Sequence, residues 1–431
     1  MGARLPRWAC ALGSSLWLAA CGSTHVDFAG RAGATSDEVY ASLYPYYAEL
    51  CALSEVAKKP GFGAEISGGT GGHSVLYLSG VCRADAHYPT VRLCDTAVPG
   101  PDDGVGISAN AHFKNANWVA TPGRDFFFRG DLPAHERLTR AAYRHAQAKA
   151  SAMGILNGVV FHAEVFSDRP ADMAERDYMY EVSVATDYAI AFGRDRYCGR
   201  IPMTRARMAK IVRFLNDRNA VYRTGGKDFE WDVLRNNCSH LTHNALAAAG
   251  VWKEWEIDRP LLLAAFDFPV PKNEFVNLIW QTNDFPSSNL ATLYADPAER
   301  QALSAGDWVP SGPGGLAEFE AAIEANDLYE TDLRLIFYDD PIFGDYQRRF
   351  RRILADRRYT DLAANLRYFA ALYGEIDSRR VPLETYLAQH PEIGAEQRPD
   401  FTSFYTNFYD NVVRQSARVR AALTALVRAS P

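Results

Sequence analysis

Two short stretches decide how this 431-residue chain is read: Gly71-Gly72-His73-Ser74-Val75-Leu76-Tyr77-Leu78 and Asn236-Asn237-Cys238-Ser239-His240-Leu241. In the first, a double glycine gives way to a β-prone run. Its alternation puts His73, Val75 and Tyr77 on one strand face and Ser74, Leu76 and Leu78 on the other. In the second, Asn236-Asn237 opens a helix that ends near Ala249-Gly250, so Cys238 is expected in its first turn. Unsatisfied amides and the positive end of the helix dipole there favour thiolate over thiol. A strand-borne imidazole beside such a cysteine can take the thiol proton and later protonate a leaving amine or alcohol. Amides at the same helix start can stabilise the oxyanion.

The flanking sequence reads as mixed strands and helices. Thr35 and Glu38 have capping-box spacing, and Tyr40, Leu43, Tyr47 and Leu50 follow at helical intervals despite Pro45. Further strands are expected at 90–95, 104–109, 158–166, 178–186 and 189–197, and a helix over 133–153. Thr204 caps a helix carrying Met208, Ile211, Val212 and Leu215. Residues 35–262 therefore form an α+β domain. Residues 263–315, rich in Pro, Asn, Ser and Gly, form a loop-rich connection. Residues 316–431 read as an all-helical C-terminal region, with stripes at Leu362, Leu366, Phe369, Tyr373 and at Phe401, Tyr405, Phe408, Val412.

At the start of the chain, Arg4 and Arg7 precede a thirteen-residue apolar stretch, 8–20, too short to span a bilayer and suited to a signal peptide, 1–20. Leu18-Ala19-Ala20-Cys21-Gly22 resembles the lipobox of bacterial lipoproteins. That resemblance implies a diacylglyceryl group on Cys21, a lipidated linker over 21–34, and an outer-membrane anchor facing the periplasm. Gly22 stands where inner-membrane retention uses Asp. Without residues 1–20 the 46 basic side chains become 44 against 52 acidic ones, a formal charge of −8. Nucleic acid is therefore not an expected partner. Arg348, Arg349, Arg351, Arg352, Arg357 and Arg358 crowd one segment, but Asp339, Asp340, Asp345 and Asp356 lie among them, as on an ion-paired helix face.

Seven cysteines with no C-x-x-C pair exclude a zinc ribbon. With Cys10 removed and Cys21 lipidated, five remain in an oxidising periplasm, and an odd number leaves at least one free thiol. Cys238 is that expected thiol. Cys82 and Cys94 flank one strand connection and are the favoured pair, which leaves Cys51 with Cys198.

Gly-His-Ser before a hydrophobic strand, and much later Asn-Cys-Ser-His opening a helix, resembles the circularly permuted branch of the papain-like superfamily. That branch includes lecithin:retinol acyltransferase-like proteins, permuted NlpC-type amidases and the domain of some lipoprotein N-acyltransferases. The resemblance covers roughly residues 60–255. It implies an antiparallel sheet with packed helices, Cys238 as nucleophile, His73 as base and no cofactor. The substrates would be amide or ester bonds of peptidoglycan, lipid or protein. Such sites normally include a third polar group near the histidine, for which Asp95, Asn110 and His112 are candidates. His162 reads as a structural sheet histidine. Two other readings compete: a metal site built on Cys238, His240 and His243, and an inactive scaffold that binds an envelope partner.

Overall fold

The first helix, α1 (Asp37–Leu43), stops before Pro45, and the residues expected to prolong it form strand β2 (Tyr47–Leu53) instead. All seven side chains of β2 are buried. A helix would bury only one stripe of Tyr-Ala-Glu-Leu-Cys-Ala-Leu, whereas a central strand covered on both faces buries the whole run. The computed structural model describes residues 20–23, 37–62, 72–96, 98–100, 102–257, 260, 270–286, 288–304, 311–323, 325–331, 336–339 and 344–429.

The remaining strands are β1 (Ala20–Ser23), β3 (His73–Ser79), β4 (Val81–Arg83), β5 (Val91–Leu93), β6 (Gly104–Ser108), β7 (Val119–Pro122), β8 (Arg196–Pro202), β9 (Leu316–Glu320) and β10 (Ile336–Asp339). Five of them and β2 form one antiparallel sheet in the order β7-β6-β3-β2-β8-β9. Strands β4 and β5 make a separate ribbon, and β1 pairs with β10, Cys21 opposite Tyr338. Residues 1–19 of the expected signal peptide, residues 24–34 of the expected linker and Thr35 of the expected capping box lie outside the described residues.

The expected alternation sorts the sheet's side chains into two cores. Ala48, Leu50, Leu76, Leu78, Val105 and Ile107 share one core with α5 (Arg205–Arg223), α6 (Cys238–Ala248) and α7 (Pro271–Asn283). Tyr47, Cys51, Leu53, Val75 and Tyr77 share the other with α2 (Arg124–Arg129) and the C-terminal helices. Gly106 of β6 makes this second packing possible, since a Cβ there would lie 2.1 Å from the Phe127 ring of α2. The helices α3 (Arg140–Met153) and α4 (Glu175–Ser183) build a third core around Tyr143, Tyr180 and Tyr188.

Several sequence expectations need correction. Residues 178–186 alternate Tyr178, Tyr180, Val182, Val184 like a strand, yet most of them lie in α4, whose first turn carries Glu175 and Asp177, acids that suit a helix start. Of 158–166, only Phe161 makes a β-bridge, and Ala163–Asp168 is a 3₁₀ helix. Within 189–197, only the last two residues belong to β8. The loop-rich connection contains α7, started by Pro271 where the missing N–H costs no hydrogen bond, followed by α8 (Leu290–Ala295) and α9 (Pro297–Ser304). Leu316–Glu320, expected to be helical, is the edge strand β9.

The C-terminal helical region is α10 (Tyr346–Ala355), α11 (Leu362–Ser378), α12 (Leu383–Gln389) and α13 (Arg398–Ala429). Both aromatic stripes are buried there, in the same core as Tyr40 and Tyr77. Asn365 ties α11 to the body, accepting from Gly314 N and donating to Asn283 Oδ1, both at 2.8 Å. Four of the six clustered arginines are ion-paired: Arg358 and Arg352 reach Asp284, Arg348 reaches Asp345, and Arg357 reaches Asp361. Among the described residues, no helix is long and apolar enough to cross a membrane.

Candidate active site

Asn237 fixes the start of α6 as its N-cap. Its side-chain oxygen accepts from Ser239 N at 2.9 Å and His240 N at 3.2 Å. Asn236 is held by Arg218, which donates to its Oδ1 at 2.9 Å. Cys238 is therefore the first residue of α6, as expected, and only 6% exposed. Cys51–Cys198 and Cys82–Cys94 are disulfides, and Cys238 is the free thiol among the cysteines whose side chains are described.

Helix α6 lies on the Ser74 face of β3, where Ser74 Oγ and Thr242 Oγ1 are 2.9 Å apart. The His73 ring lies on the other face, its Nε2 2.9 Å from Ser108 Oγ. Ser108 occupies the β6 position opposite Val75, so it shares the face of His73. At the start of β3 the amides of Ser74 and Ser239 face the Cys238 sulfur. No hydrogen bond joins Cys238 to His73 among the described residues.

The hydrogen bonds define the histidine tautomer. Ser108 donates its single hydroxyl proton to the Thr186 carbonyl at 2.8 Å, so His73 Nε2–H must donate to Ser108 Oγ. The basic lone pair is left on Nδ1. Ser108 thus orients the ring, and none of the three sequence candidates does. Asp95 is exposed and paired with Arg92 at 2.8 Å. Asn110 donates to Asp187 Oδ2 at 2.9 Å. His112 packs on Phe161, its ring 5.8 Å away. His162 is structural, its Nε2 2.9 Å from the Phe229 carbonyl. No local signal marks Ser108, because its role comes from strand pairing.

The histidines of α6 also have structural work. His243 is stacked between Trp252 and Trp255, with Nδ1 2.6 Å from Glu274 Oε2 and Nε2 2.8 Å from the Lys253 carbonyl. Both nitrogens are engaged, so none is left for a metal shared with Cys238. His240 Nδ1 lies 3.1 Å from Asn237 Oδ1.

Burial reverses the expected thiol tuning. It pushes the Cys238 thiol up, outweighing the Ser74 and Ser239 amides, the Ser239 hydroxyl and the Arg194 guanidinium, which all favour thiolate. Burial also pushes the His73 imidazole down to about 3, and Arg194 acts in the same direction. At neutral pH Cys238 is therefore a thiol and His73 a neutral imidazole.

No family model, curated protein or solved structure matches the chain.

Its pH dependence has a definite sign. As pH falls from 6.5 towards about 3, the unfolded chain gains a proton that folded His73 refuses. Stability then falls by about 1.4 kcal/mol per pH unit. Asp187, raised by burial from 3.8 to about 6, acts oppositely: between those values its contribution is lost as pH rises. Urea unfolding at pH 7 and pH 5 separates the two. Wild type is expected to lose about 2 kcal/mol more than His73→Gln over that interval. Equal losses would contradict a buried neutral imidazole.

Proposed function

We propose that this protein is a cell-envelope lipoprotein, anchored in the outer membrane through lipid on Cys21 and facing the periplasm, with a thiol hydrolase or acyltransferase site. Cys238 is the nucleophile and His73 the base, within a permuted papain-like α+β domain. The substrates are amide or ester bonds of the envelope, in peptidoglycan, lipid or protein. The observation that carries the reading is the Ser74 amide facing the sulfur of a free, helix-start cysteine. It sets the nucleophile beside the strand residue next to a histidine whose Nε2 proton is tied to Ser108. Two disulfides support an oxidising compartment.

In this mechanism the thiol proton passes to His73 Nδ1 as the sulfur attacks the carbonyl carbon. An S–C bond forms, and the oxyanion develops near the Ser74 and Ser239 amides. The C–N or C–O bond then breaks, and the leaving amine or alcohol takes the proton from the imidazolium. Water or a second acceptor, deprotonated by His73, cleaves the thioester and regenerates the thiol.

One observation favours a catalytically inactive scaffold that binds an envelope partner: the thiol is raised by burial and makes no hydrogen bond to His73 among the described residues. A thiol-exchange probe at pH 7, read at the Cys238 peptide, separates the two readings. With His73 as base, His73→Ala is expected to label at least about tenfold more slowly than wild type. Equal, slow labelling of both forms overturns the dyad and leaves the scaffold.

A further inference from the structure

Arg194 is 2% exposed, and its Nε and Nη1 are buried without a hydrogen-bond partner. It forms no ion pair among the described residues. Arg200 and Lys58, also deeply buried, are matched: Arg200 contacts Glu318 at 2.7 Å and Asp37 at 2.8 Å, and Lys58 contacts Glu181 at 2.6 Å. A buried guanidinium with no counter-ion is costly, so its position needs a cause.

The fold fixes Arg194 at the end of the sheet where the thiol lies. Leu53 of β2 is paired with both His73 and Arg196, so the residue two before Arg196 lies just beyond the start of β3. The backbone there is pinned. Asp195 N donates to Ser54 Oγ at 2.9 Å, and Ser54 N donates to the Asp195 carbonyl at 3.0 Å. On the other side Gly193 has φ 72°, and a Cβ on it would sit 2.4 Å from Tyr329 Cβ. The guanidinium acts electrostatically on Cys238 and on His73. The Ser239 hydroxyl faces the thiol as well, and Tyr329 also feels the Arg194 charge. A cation and a hydroxyl therefore lie beside the thiol at the start of α6, a helix end that itself favours negative charge.

We propose that Arg194 anchors a carboxylate-binding subsite next to Cys238, so that the acyl compounds accepted there carry a free carboxylate near the bond attacked. This rests on the nucleophile reading above. Carboxylate fits better than a phosphate dianion because Asp187 and Glu55 also lie within electrostatic reach of Arg194 and oppose a second negative charge. The planar guanidinium suits a carboxylate's two oxygens.

Two alkylating agents of nearly equal size, iodoacetate and iodoacetamide, test this on the full chain with its disulfides intact, read at the Cys238 peptide by mass spectrometry. Iodoacetate is expected to react at least about tenfold faster than iodoacetamide, with saturation, as a charge-assisted hydrogen bond allows. Acetate should protect against it, and Arg194→Met should abolish the preference. If both agents react and wild type shows no preference for iodoacetate, the subsite is overturned while the nucleophile stands. If neither reacts, the nucleophile falls and the subsite with it. The ratio in wild type decides the matter even where Arg194→Met fails to fold.

Discussion

Replacing Cys51 and Cys198 together by alanine is expected to lower the unfolding free energy by about 5 kcal/mol, the largest single effect in the molecule. The disulfide joins residues directly opposite each other on β2 and β8, 147 residues apart in sequence. Cross-linking so distant a pair removes more freedom from the unfolded chain than cross-linking a near one. Cys82–Cys94, with a separation of 12, should contribute about 3 kcal/mol by the same chain-entropy relation. Both Cys51 and Cys198 are fully buried between sheet and helices, so reductant should cleave Cys82–Cys94 first in the folded protein. Denaturant titration of the two double variants checks the order. A larger loss from the Cys82–Cys94 pair would contradict it.

Glu49→Ala is expected to cost about 3–5 kcal/mol. The carboxylate is fully buried on β2 and accepts from Arg124 Nη2 at 3.1 Å, with Arg200 at 3.6 Å and Arg196 at 3.8 Å. Glu318 and Glu320 of β9 bind the same arginines from the far side, and Asp37 of α1 reaches Arg124 and Arg200. The acids hold the Arg124 guanidinium firmly protonated despite burial. Removing Glu49 leaves three guanidinium groups facing one another in an apolar layer, a loss that the remaining acids cannot cover. Glu49→Gln keeps the shape and one acceptor, so its cost should be smaller, about 1–3 kcal/mol. The effect should be nearly independent of salt, because buried pairs are little screened. A loss below about 1 kcal/mol for Glu49→Ala, or one that vanishes in high salt, would show that the network is not a buried unit.

Much of the site was legible because its signals are local. The double glycine and alternation around His73 located β3, the Asn-Cys-Ser-His run located the capped start of α6, and the odd cysteine count required a free thiol, which that run assigned to Cys238. Other elements were misread for the same reason. Tyr47–Leu53 presents apolar groups at both strand and helix spacing, and only coverage from two sides decides between them. Alternation at Tyr178–Val184 imitates a strand, although acids at the helix start pointed the other way.

By itself, then, the sequence located the strand that carries His73 and the helix start that carries Cys238, the aromatic faces of the C-terminal helices and the favoured pairing of four cysteines. The tertiary structure alone decided what surrounds the thiol. Ser108 meets His73 across 35 residues of chain, Thr242 meets Ser74 across 168, and Arg194 arrives on the end of a third segment. A periodic pattern reports which side of an element is buried. It does not report the register of pairing strands, which sets the partners a buried group meets. Hence the thiol's identity was written locally, while its burial, its unpaired guanidinium neighbour and the tautomer of its histidine arose only when the sheet closed.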